Sequence, residues 1–80
     1  MKNTPSRAEL LQEFEQLPEG AIVDERMAAA VRNKTVSSLQ RERCMGTGPR
    51  FVRDGRLVGY RKRDLLEFSE RCVVVPGHAA

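Results

Sequence analysis

The sequence predicts an α+β fold, mostly helical, in which two short helices precede a two-stranded β-hairpin and a last helix, with an extra helix at the N-terminus. Three observations lead there. Apolar residues recur at helical spacing in four separate segments, three of them opened by a side chain suited to capping. One segment, Arg50 to Tyr60, instead alternates apolar and arginine residues around Asp54-Gly55, a hairpin turn signal. The length of 80 residues suits one small domain, which buries only about 60% of the surface its unfolded chain exposes.

The first helix opens at Ser6. Glu9 stands three residues on, giving an S-x-x-E capping box, and Leu10, Leu11, Phe14 and Leu17 form an apolar stripe. Pro18-Glu19-Gly20 ends it, and packing on the domain is the expected role. Ala21-Ile22-Val23 is a short extended entry to the second helix. Asp24 is in the N-cap position there, and Glu25 complements the helix dipole. Met27, Ala28, Ala30 and Val31 are expected to face inward, the small residues allowing another helix to cross closely. Arg32-Asn33-Lys34 makes a polar turn, and Thr35 caps the third helix, VSSLQRERCM. Val36 and Leu39 point it inward, with Arg43 and Cys44 near the inner side; Ser37, Gln40 and Arg41 lie on the other face.

Gly46-Thr47-Gly48-Pro49 breaks that helix and the hairpin follows. Asp54-Gly55 supports a type I′ turn, with positive φ at both positions. Phe51, Val58 and Tyr60 are expected in the core, while Arg50, Arg53, Arg56 and Arg61 stay in water. A helix from about Arg63 to Arg71 buries Leu65, Leu66 and Phe68, and the chain is expected to be loose beyond Pro76. Helix, turn, helix, hairpin, helix is a small winged helix-turn-helix. Residues 1–20 are thus read as an N-terminal helix and linker, 21–72 as the winged domain and 73–80 as a tail.

Composition narrows the function. No apolar run approaches the roughly 20 residues that cross a bilayer, and the first residues lack a secretion signal's apolar stretch, so a cytoplasmic protein is expected. Cys44 and Cys72 are read as reduced, partly buried thiols. With His78 they are too few for a zinc site, which needs about four ligands, so no metal and no cofactor are expected. Nothing assembles a catalytic set, and an enzyme is not expected. The net charge of +3 hides an asymmetry. Residues 1–30 carry three basic and six acidic side chains, 3 − 6 = −3; residues 31–80 carry eleven and five, 11 − 5 = +6. The basic half is the half with the hairpin, a pattern that suits phosphates, the competing reading being a solvated basic face.

From about Val23 to Glu70 the chain resembles the AlpA-like and excisionase-like winged helix-turn-helix proteins of phages and mobile elements, relatives of the MerR DNA-binding domain. The resemblance is carried by "TVSSLQRERCMGTGPRFVRDGRLVGYRKRDLLEF", in which Thr35, Leu39, Arg41, Arg43, Gly46, Gly48, Pro49, Phe51, Gly55, Arg56, Val58, Tyr60, Asp64, Leu65 and Phe68 match the family pattern in order. Lys34, Gly59 and Arg63 depart from it. The resemblance implies double-stranded DNA as partner, with the third helix in the major groove. Ser37, Gln40 and Arg41 are the expected base readers, Gln suiting adenine and Arg suiting guanine, with Thr35, Ser38 and Arg43 beside them. Arg50, Arg53, Arg56, Arg61 and Lys62 are expected to meet phosphates, the hairpin tip lying near the minor groove.

Three roles within the family remain open: an excisionase acting with an integrase and assembling cooperatively with itself on DNA, an AlpA-like transcriptional regulator, and the recognition part of a DNA-packaging small subunit. Contact between the acidic first helix of one copy and the basic hairpin of its neighbour would serve cooperative filling. No membrane and no small-molecule ligand are expected, because the chain stops at Ala80 without a MerR-type effector region. A protein-interaction module using the acidic helix is the reading outside DNA binding.

Overall fold

The computed structural model describes residues 5–77 and shows a small α+β domain consistent with the winged-helix architecture. Residues 78–80 of the expected tail, His78 among them, lie outside the described residues. The elements are α1 (Arg7–Gln16), β1 (Ile22–Asp24), α2 (Glu25–Arg32), α3 (Val36–Met45), β2 (Val52–Asp54), β3 (Leu57–Arg61) and α4 (Lys62–Arg71). Among the described residues, no helix is long and apolar enough to cross a membrane.

Local chemistry sets the helix starts. Ser6 and Glu9 form the full capping box on α1. Asp24 accepts from the Met27 amide at 2.9 Å and Thr35 from the Ser38 amide at 3.0 Å. Each such cap is worth about 1 kcal/mol. Asn33 ends α2 in the left-handed conformation, φ 57°, which turns the chain sharply into α3.

The hairpin extends to three strands. β1 pairs antiparallel with β3 through Val23↔Tyr60 and Asp24↔Gly59, so the sheet order is β1-β3-β2 and the extended entry becomes an edge strand. The turn is also displaced by one residue. Asp54 pairs with Leu57, which leaves Gly55 and Arg56 as the two turn residues. Only Gly55 has positive φ, 64°, so the turn has the sign pattern of type II′ rather than type I′. Arg56 therefore occupies the tip, and Asp54 belongs to the strand.

One core joins every layer: Phe14 of α1, Val23 of β1, Ala28 and Ala29 of α2, Leu39 of α3, Tyr60 of β3 and Leu65 of α4. Leu39, Tyr60 and Leu65 are fully buried. Burying a side chain of leucine's size contributes about 1.5–3 kcal/mol. Several positions differ from expectation. Ala29, rather than Ala30, is buried on α2. Phe51 is 38% exposed, because it precedes an edge strand and its ring overhangs Tyr60, with centroids 6.4 Å apart. Leu66 is exposed because the inner face of α4 runs through Asp64, Leu65 and half-buried Phe68, leaving its neighbour outside. Cys44 and Cys72 are both exposed thiols; Cys44 lies one residue past Arg43, which rotates it off the inner face of α3.

The start of α4 is built without a side-chain cap. Its N-cap is Arg61, not Arg63, and the Lys62 and Arg63 amides donate to the backbone carbonyls of Ala21 and Glu19 at 2.8 and 2.9 Å. Arg61 Nε donates to buried Asp64 at 2.8 Å, which offsets the cost of enclosing that carboxylate.

Gly59, a departure from the family pattern, has a steric cause. A Cβ there would lie 2.5 Å from Ile22 Cγ2 and 3.0 Å from the Val23 carbonyl oxygen. Glycine therefore permits the close approach of β1 to β3. Gly59→Ala is expected to lower the urea midpoint by the equivalent of about 1–3 kcal/mol, the usual range for overpacking. Adding Ile22→Ala should recover part of the loss in a double-mutant cycle; strict additivity would count against this steric account.

Candidate nucleic-acid interface

The outward face of α3 carries Ser37, Ser38, Gln40 and Arg41, all exposed, with Cys44 one turn beyond Gln40. The face opposite is fixed by Leu39 and by Arg43. The guanidinium of Arg43 donates to Tyr60 Oη at 2.7 Å and also pairs with Glu25. Burial pulls the Arg43 pKa down, but the bonds to Tyr60 and Glu25 outweigh it, and the group is held above the ordinary arginine range. One side chain thereby ties α3 to both β3 and α2.

The α2–α3 turn is fixed by a second charge cluster. Glu42 accepts from Arg32 and, at 3.0 Å, from Lys34. Arg32 also stacks over Phe68, 4.8 Å from the ring centroid, which carries the tie on to α4. Lys34, a departure from the family pattern, thus serves this turn.

Between α3, the start of α2 and the hairpin lies an open groove of about 510 Å³, lined by Val36 and Gln40 of α3, Asp24, Glu25 and Arg26, and Arg56 and Leu57 of the hairpin. It brings Gln40 and Arg56, a predicted reader and a predicted phosphate contact, to one concavity. Its carboxylates are occupied, Asp24 in capping α2 and Glu25 with Arg43.

The predicted residues fall into two groups. Ser37, Ser38, Gln40, Arg41, Arg50, Arg53 and Arg56 are exposed. Arg41, Arg50, Arg53 and Arg56 enter none of the ion pairs among the described residues; Arg53 leans on the Phe51 ring at 5.8 Å. The other four serve the fold. Thr35 is a cap, Arg43 is bound inside, and Arg61 holds Asp64. Lys62 donates to the carbonyls of Leu17 at 2.9 Å and Glu15 at 3.3 Å, closing the C-terminus of α1, and stands over Phe14. Neither Arg41 nor Arg43 pairs with Glu42 or Glu67, since Glu42 takes Arg32 and Lys34 while Glu67 faces Arg71. Sequence reasoning missed Arg26, exposed in the first turn of α2 and part of the groove; its separation from the basic half concealed it.

The Glu42 cluster should report itself in acid. Burial pushes the Glu42 carboxyl upward, but its bonds to Arg32 and Lys34 prevail and hold it below its usual 4.5. A depressed folded-state pKa adds stability that is present above the unfolded value and lost as pH falls through the folded one. Wild type should therefore exceed Glu42→Gln in urea midpoint by a constant margin above pH 4.5, narrowing at lower pH. A margin that does not change with pH would contradict this.

No protein-family model matches the chain, and no curated protein matches it at a significant level.

Proposed function

We propose that the protein binds double-stranded DNA sequence-specifically, as an excisionase or AlpA-like regulator of a mobile element, with α3 in the major groove and the hairpin tip at the flanking backbone. The observation that carries this reading is the shared groove. Gln40 on α3 and Arg56 on the hairpin both line it, Glu25 there is paired with Arg43, and Arg26, Arg41, Arg50 and Arg53 stay exposed. Side chains that reach base edges supply sequence preference; arginines that reach phosphates supply affinity and salt dependence. Arg41 and Gln40 belong to the first kind, both able to form bidentate bonds to a purine edge. Arg50, Arg53 and Arg56 belong to the second. An excisionase would have an integrase as its protein partner and would fill tandem sites cooperatively; a regulator would act at a promoter of its own element.

Duplex titrations by fluorescence anisotropy at several salt concentrations test the assignment. Arg41→Ala should cost about 1–3 kcal/mol on a preferred site and relax base preference there. Arg56→Ala should weaken all duplexes alike and reduce the salt slope by about one. Arg61→Ala, by contrast, should lower thermal stability and leave the salt slope unchanged. If neither Arg41→Ala nor Arg56→Ala alters duplex binding, the proposal is wrong.

A further inference from the structure

The two faces of the sheet differ. Val23 and Tyr60 face the core, whereas Ile22, Val52 and Leu57 are on the outer face around Gly59. Because Gly59 has no side chain, these residues border a hollow of about 340 Å³, rimmed by Asp24 and Asp54. Ile22 is 58% exposed and Leu57 73% exposed. The hollow thus presents exposed apolar side chains between two carboxylates. The hollow shares Asp24 and Leu57 with the groove beside Gln40 and Arg56, but its carboxylate rim disfavours phosphate and suits a partner with a positive charge.

The chain carries a second uncovered apolar surface that matches it. Val73, Val74 and Val75 follow α4 outside any helix or strand, and Val74 is 82% exposed. β-Branched side chains suit a pleated sheet face. Arg71, just before them, reaches Glu67 only at 3.8 Å and is exposed, which leaves it available to a carboxylate. Asp54 enters none of the ion pairs among the described residues. Both surfaces are exposed in the same chain, so the valine segment does not cover its own hollow.

We infer that residues Val73–Val75 of one copy dock in the sheet hollow of a second copy, with Arg71 beside Asp54. The two surfaces are unlike, so each copy offers one of each. A contact of three valines and one ion pair is small, so the association is weak and concentration-dependent.

Sedimentation velocity on the full chain, without nucleic acid, tests this apart from the duplex-binding reading. Wild type should show an average mass that rises with concentration into the millimolar range. Val74→Asp and Leu57→Asp change exposed side chains and should keep the wild-type circular dichroism and thermal midpoint, yet each alone should stay monomeric. Mixed in equal amounts they should form a heterodimer and nothing larger, because Leu57→Asp retains its valine segment and Val74→Asp retains its hollow. A wild type that stays monomeric, a single variant that associates like wild type, or a mixture that stays monomeric would each overturn the inference.

Discussion

Tyr60 imposes the constraint on which the rest of the arrangement depends. Its ring fills the centre of the core with no exposed surface, so its hydroxyl has to find a partner inside the protein. Arg43 supplies it, and Arg43 in turn brings a charge that needs an opposite. Glu25, in the first turn of α2, provides that charge. Three elements are thus held by one chain of polar necessity running from strand to helix to helix. The spacing between α3 and the hairpin follows from it, and with it the groove that Gln40 and Arg56 both line.

Arginine and lysine consequently do two kinds of work. Arg32, Arg43, Arg61 and Lys62 occupy carboxylates or carbonyls and fix how elements meet. Arg41, Arg50, Arg53 and Arg56 are left on the outside. A planar guanidinium that satisfies several acceptors suits the first task, and its permanent charge suits the second. The exposed α3–hairpin surface is basic because Arg41, Arg50, Arg53 and Arg56 gather there outside the ion pairs that hold the fold.

What the sequence made legible was local. Ser6, Asp24 and Thr35 each satisfy an amide three residues on, and such caps depend on nothing distant. The helix-turn-helix and the final helix follow from the same short-range signals. The errors lie where distant segments decide. Pairing of Ile22–Asp24 with β3 has no signature within those three residues, and Gly59 looks like a weak strand position until Ile22 is brought against it. The one-residue displacement of the turn arose because Gly55 can serve as either member of a two-residue loop, and strand pairing chose between them. Arg43 and Lys62 were expected at DNA because their partners, Glu25, Tyr60 and the end of α1, are remote in the chain.

The join between the end of α1 and the start of α4 bears on the order in which the domain assembles. The first amides of α4 donate to carbonyls of residues 19 and 21, and the Lys62 side chain reaches back to Glu15 and Leu17. These bonds span up to 47 residues of chain, and the contacts made must offset the entropy lost in closing that loop. The hairpin and the α2–α3 pair are built from near neighbours, but the first two amides of α4 have their acceptors only with Glu19 and Ala21 in place. A cut between Gly20 and Ala21, where composition suggests a boundary, would pass through this join and leave α4 without an acceptor for its Arg63 amide. The acidic first helix and its linker are therefore part of the domain's own architecture.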